Sequence, residues 1–202
     1  MPDRTPPPTR TVSGEDLYGE DLTGRVESRV AYIDVDLTES TASTGTIFEE
    51  CTFRHVKFNV AVYSGAAFTN CTFANCNFFD ATLTGCKLVG SVFERCTFDR
   101  LTVDGGDWSF VNLVEADLRK VSFTDVRMRE ADLSSARADG ATLRRLDLSG
   151  ATFAKASLEK TDLRGSDLAG IDPATVALRG AIIDIGQAIA IASAYGLDVR
   201  PE

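Results

Sequence analysis

The sequence predicts an all-β solenoid, and three observations lead to it. Every fifth residue from Phe48 to Ile183 is apolar, with Pro173 the single exception. At an apolar frequency of 44%, chance would give so regular a run with a probability on the order of 10^-10. The residue two before the apolar position is mostly small, as at Cys51, Ala61, Ala66, Cys71, Cys76, Ala81, Cys86, Cys96, Ala131, Ala136 and Ala141. The residue two after it is often glycine or asparagine, as at Gly65, Asn70, Asn75, Gly85, Gly90, Gly105, Gly140 and Gly150.

A period of five fits neither a helix, at 3.6 residues per turn, nor a strand, at 2. The chain must therefore turn a corner within each repeat. Positions two apart face the same side of an extended segment, so the small and the large apolar residue both point inward. The glycines and asparagines supply the positive φ that a tight corner needs at least cost. Stacked coils pair their backbones laterally, and one large plus one small side chain per side fills the lumen.

In chain order, residues 1–13 carry Pro2, Pro6, Pro7 and Pro8 without an apolar core, so they read as a disordered tail and not a signal peptide. Residues 14–183 form the repeat region. Its first units, Glu15-Asp16-Leu17-Tyr18-Gly19 and Glu20-Asp21-Leu22-Thr23-Gly24, put glutamates at the small position and read as a polar capping coil. Leu37 and Ala42 keep the beat, but Phe48 comes one residue late. Either a loop or bulge within 26–46 absorbs the slip, or the stretch from Val26 to Gly45 leaves the solenoid altogether. Four-sided stacking would place Phe53 under Phe73 and Phe93, and Phe58 under Phe78 and Phe98. A break is expected at 171–175, where Pro173 occupies an inward position and cannot donate to a ladder. Residues 184–197 carry a helix capped by Asp184 and closed by Gly196, with Ile185, Ala188, Ile189, Ala192 and Tyr195 on one face. Such an apolar face requires a partner surface. Residues 198–202 are a tail.

Little in the sequence suggests catalysis. The five cysteines all fall on the small inward position and read as core residues of a reducing cytoplasm, with no zinc spacing. His55 is the only histidine, so no nucleophile–histidine pair can be assembled with a second one. The recurrent aspartates lack a cleft that would desolvate them. No phosphate-binding glycine loop occurs, no apolar run approaches the 18 residues of a membrane span, and no metal or other cofactor is expected. A cytoplasmic, non-enzymatic protein is the resulting expectation.

Ala131-Asp132-Leu133-Ser134-Ser135, Leu146-Asp147-Leu148-Ser149-Gly150 and Thr161-Asp162-Leu163-Arg164-Gly165 resemble the A(D/N)LXX unit of the pentapeptide-repeat family. The resemblance implies a right-handed quadrilateral β-helix of about seven coils from Phe48, roughly 34 Å of axis at the strand spacing. The segment from Val89 to Leu133 and the tail from Ile183 to Leu197 are similar to the bacterial branch of that family that confers fluoroquinolone resistance, the mycobacterial members and the Qnr group. That similarity implies a rod-shaped homodimer joined through its C-terminal helices, which mimics DNA, engages DNA gyrase and guards it against quinolones or related poisons. A scaffold for an unrelated protein partner is the alternative, because the repeat alone does not specify activity.

The charge pattern bears on that implication. The net charge is −9, which argues against general attraction to nucleic acid. On the side of Phe48, Phe68, Leu88, Trp108, Met128, Leu148 and Leu168, the acids Glu49, Glu50, Asp107, Glu130, Asp147 and Asp167 outnumber Lys87, Arg127 and Arg129. Duplex DNA carries one charge per about 1.7 Å, whereas −9 over a rod of about 40 Å is one per about 4 to 5 Å. Mimicry can only be local, so Asp107, Glu130, Asp147 and Asp167 are the candidate partner-binding residues. Val89, Val92, Phe110 and Val114 form a second, apolar candidate near one corner.

Overall fold

A computed structural model of the chain describes residues 7–200. All strand pairing is parallel, and partners lie one coil apart in sequence, as in Thr52↔Thr72 and Thr102↔Ser122. A coil is thus four repeats of five residues. Three sides carry sheets and the fourth, through Phe58, is held by single bridges such as Lys57↔Asn77 and Asn77↔Thr97. The Phe53 side contains the strands Arg10–Ser13, Val30–Ile33, Thr52–Arg54, Thr72–Ala74 and Val92–Glu94. The Tyr63 side runs from Thr41–Ala42 to Thr142–Arg144, and the Phe48 side from Val26–Ser28 to Ala67–Thr69.

The lumen is filled as the five-residue pattern predicts. Phe53 stacks on Phe73 at 4.9 Å and Phe73 on Phe93 at 4.8 Å. Phe58 stacks on Phe78 at 4.8 Å and Phe78 on Phe98 at 5.8 Å. Neighbouring ladders meet edge-to-face, as Phe73 does with Phe78 at 68°, so rings on adjacent sides interlock with favourable quadrupole geometry.

The small inward position does more than save space. Cys71, Cys76 and Cys86 donate S–H to the carbonyl oxygens of Phe48, Phe53 and Tyr63 in the coil below, at 3.3 to 3.4 Å. Ser91, Thr161 and Ser166 make the same bond to Phe68, Ala138 and Leu143 at 2.6 to 2.7 Å. Each of these carbonyls thereby has a side-chain donor in a place closed to water. Four cysteines are buried and Cys96 is half-buried; all five are free.

Two expectations about the N-terminal part are corrected or decided. The composition predicts a disordered tail through residue 13, yet Arg10–Ser13 is a strand paired with Val30–Ile33. Val12 lies five residues before Leu17 and continues the beat, and Arg10 pairs with Glu27 at 2.6 Å. The rest of that expected tail, residues 1–6, lies outside the described part, as do residues 201–202 of the C-terminal one. The stretch from Val26 to Gly45 remains in the solenoid. Pairs that span residues 43–46 are offset by one extra residue, Thr41↔Val62 against Asp21↔Thr41, so a single insertion at the corner Ser43 to Thr46 absorbs the slip. Gly45 has φ of +98° there, and Thr46 N donates to Ser43 O at 3.1 Å. At the other end Pro173 begins a turn closed by Thr175 N on Asp172 O at 3.0 Å, while Ile171 and Val176 stay buried.

The helix Ile185–Ala194 closes the C-terminal end. Asp184 Oδ1 accepts from Gln187 N at 3.0 Å and Gln187 Oε1 from Asp184 N at 2.8 Å, a reciprocal capping box. Gly196, at φ of +78°, terminates it, with Leu197 N on Ala192 O and Gly196 N on Ser193 O.

Candidate functional site

The strand pairing sets the outward columns of the Phe48 side. Residues one before the inward position stack as Lys87, Asp107, Arg127 and Asp147, joined by consecutive bridges. Sequence counting makes this an acidic side; the stacking makes it a column of alternating sign. Asp107 Oδ2 lies 3.2 Å from Arg127 Nη1, and Asp147 Oδ2 lies 2.5 Å from Arg129 Nε. Partial burial pushes the Asp107 carboxyl up, but the hydroxyl and N–H of Ser109 and the guanidinium of Arg127 outweigh it and hold it below the ordinary value. At Asp147 the Ser149 hydroxyl is the main cause and Arg129 adds to it, again giving a lowered pKa. Both carboxylates are therefore fully charged at neutral pH. Asp167 Oδ2 accepts from Ser149 Oγ at 3.2 Å, and Glu130 forms no ion pair among the described residues. Of the four acidic candidates, the structure gives two an arginine and leaves Glu130 and Asp167 without one.

The apolar candidate adjoins this column. Phe110 is 62% exposed and Val114 37%, whereas Val89 and Val92 are half-buried. A shallow depression of about 530 Å³ is lined by Val89, Asp107, Phe110, Arg127, Arg129 and Glu130 among others. Asp107 and Glu130 of the acidic candidates thus share one depression with Val89 and Phe110 of the apolar ones, while Asp147, Asp167, Val92 and Val114 do not line it. No helix among the described residues is long and apolar enough to cross a membrane, and no described group of His, Cys, Asp and Glu could hold a metal ion.

The second surface is the helix. Gln187 faces the solenoid, with Ala190 and Ile191 half-buried beside it. The opposite side leaves Ile185 83% exposed, Ile189 46% and Tyr195 61%. Ala188 is also exposed, and Ala192 is half-buried. Ile182, Leu197 and Val199 are exposed apolar residues of the same end of the chain. Such a concentration on one end exceeds the scatter of single surface hydrophobes.

A parallel coil of four five-residue sides, with a large and a small inward residue on each, defines a pentapeptide-repeat β-solenoid. Residues 76–153 match the model of the pentapeptide repeat region, and the same five-residue pattern continues on both sides of that segment. Its fold is similar to that of QnrB1, a plasmid-mediated fluoroquinolone resistance protein. A trypsin-treated variant of QnrB1 matches at 21% identity and TM-score 0.61, over 94% of this chain and 97% of that one. HetL, a pentapeptide repeat protein involved in heterocyst differentiation regulation from the cyanobacterium Nostoc sp. strain PCC 7120, matches at 21% identity and TM-score 0.51, over 87% and 86%. Curated proteins give no match.

Proposed function

We propose that the protein is a non-enzymatic homodimer that binds DNA gyrase as a partial mimic of DNA, modulating the enzyme and protecting it from quinolone-type or other poisons. The observation that carries this is the column on the Phe48 side in which Asp107 and Asp147 alternate with Lys87 and Arg127, together with the apolar face that the C-terminal helix leaves uncovered. With coils about 4.8 Å apart, the carboxylates of this column repeat about every 10 Å, wider than backbone phosphates, so the mimicry is partial. Two copies joined at Ile185, Ala188, Ile189, Ala192 and Tyr195 would continue that column through the dimer. The sequence resemblance to fluoroquinolone-resistance members supports the choice of gyrase as partner. The pairing of Asp107 and Asp147 with arginines favours a second reading, a scaffold for a different protein whose surface carries both signs of charge.

Supercoiling by purified gyrase, with and without a quinolone, tests the proposal. Inhibition by the protein or relief of drug-induced cleavage is expected. Unaltered gyrase activity at micromolar protein would discard gyrase as the partner. Light scattering at low concentration is expected to give the mass of two chains, and that of an Ile185→Asp/Ile189→Asp variant the mass of one.

A further inference from the structure

We infer that Phe110 and Glu130 form a receptor for an arginine side chain of the partner protein; the gyrase reading enters only in naming which protein brings that arginine. Phe110 occupies a left-handed corner, with φ of +60°. The same corner column holds Asn70, Gly90, Glu130 and Gly150. A bulky residue is disfavoured in this conformation, and a ring 62% exposed recovers little by packing. Left-handed corners are the rule on this solenoid, Val60 and Arg95 among them, so what distinguishes Phe110 is that a large aromatic ring is left in solvent.

Its neighbours leave the ring free. Gly90, one coil below, has no side chain, and the Glu130 carboxylate, one coil above, leans over Gly150, whose added Cβ would meet Oε1 at 2.5 Å. The nearby cations are engaged: Arg127 lies on Asp107 and Arg129 on Asp147. What remains in the depression is an aromatic ring and a carboxylate without an ion pair.

A related set of groups occurs elsewhere on the solenoid, with ring and carboxylate as the sequence neighbours Phe79 and Asp80 and not one coil apart. Arg100 lies over the Phe79 ring, 5.7 Å from its centroid, while its Nε is 3.3 Å from Asp80 Oδ1. Ring, carboxylate and guanidinium thus assemble on one corner of the solenoid. At Phe110 and Glu130 the first two are present on another corner. A guanidinium fits better than an ammonium, because it stacks flat on the ring and offers a fork to the carboxylate.

The test uses the full chain with hexa-arginine and hexa-lysine peptides at low salt, followed by NMR of the phenylalanine rings and carboxylates. Hexa-arginine is expected to move the Phe110 ring signals and to bind about five-fold tighter than hexa-lysine. Phe110→Gly and Glu130→Gln should each bring its affinity down to the hexa-lysine level. Phe110→Gly places glycine where φ is positive, so its melting temperature should equal or exceed that of the unmodified chain. Equal hexa-arginine binding by the unmodified chain and Phe110→Gly would overturn the inference. In a gyrase-binding assay, equal affinity of the two proteins would overturn it while leaving gyrase as partner. Retained peptide selectivity with no gyrase binding would uphold it and remove gyrase.

Discussion

Gln187 Nε2 donates to the carbonyl oxygen of Leu163 at 2.6 Å, the bond that Ser166 Oγ gives to Leu143 one coil earlier at 2.7 Å. The helix therefore closes the solenoid by imitating its next coil. The same amide nitrogen also reaches Ser166 O at 2.7 Å, and Asp184 Oδ2 accepts from Gly165 N at 3.0 Å. Gln187→Ala would leave two buried carbonyls without this donor and would break the capping box. A loss of about 2 to 3 kcal/mol is expected in urea unfolding. Amide exchange should accelerate in the last coil and helix, while the Phe53–Phe73–Phe93 ladder keeps its protection. An unchanged urea midpoint would refute the capping role.

Gly106 and Trp108 are a matched pair. Trp108 is fully buried, stacked on Phe93 at 5.8 Å, and the small position beside it carries no side chain at all. A Cβ on Gly106 would lie 2.9 Å from Cys86 N and press on its carbonyl oxygen, both backbone atoms of the coil below. Its φ is +97°. Gly106→Ala should cost about 2 kcal/mol or more, from overpacking and backbone strain. Trp108 is the sole tryptophan, so its fluorescence reports the shift in midpoint directly. Wild-type stability in this variant would mean that adjacent coils slide apart easily.

The inward half of the molecule is legible in the sequence because one residue in five repeats its environment. The ladders, the core cysteines, the helix and its cap all follow from local chemistry repeated in register. The strand at Arg10–Ser13 is hidden because the prolines before it dominate the composition and mask Val12. The one-residue slip is visible, but its place depends on which coil pairs with which. Glycine and asparagine mark left-handed corners, yet His55, Val60, Arg95, Phe110 and Lys155 adopt them too. The ladder dictates the corner backbone whatever residue stands there. The outward half is less legible, since the ion pair of Asp107 with Arg127 joins residues a whole coil apart. Counting charges on a side yields their sum and misses their alternation.

Acid should weaken both the coil contacts and the helix cap. Hydrogen bonds from Arg145 hold the Asp125 carboxyl below the ordinary 3.8, and those from Arg164 do the same for Asp162. The backbone N–H of Gln187, then that of Gly165, lowers Asp184. For groups with a folded-state pKa below the unfolded value, the stabilisation is complete above the unfolded pKa. It disappears as pH falls through the folded one. Stability should therefore be flat from neutral pH to about 5 and decline below about 4. Helix signal in circular dichroism should decline in the same window, and an Asp184→Asn variant should lessen that part of the change. A loss of stability centred near pH 6 would contradict this account.

The arginines on the Phe48 side separate the two readings of that surface. Arg127 and Arg129 each hold a carboxylate, with side chains more than half exposed, so removing them costs little stability, about 0 to 1 kcal/mol per pair. If the surface presents carboxylates to a basic groove, Arg127→Ser/Arg129→Ser frees Asp107 and Asp147 and brings the charge density closer to that of duplex DNA. Gyrase inhibition should then strengthen, most at low salt, where Debye screening is weakest. The reverse variant, Asp107→Asn/Asp147→Asn, should weaken it. If the partner instead reads the alternating signs, both variants lose affinity. Titration of gyrase supercoiling at two salt concentrations distinguishes these outcomes, and loss in both variants would replace DNA mimicry by recognition of a mixed-charge surface.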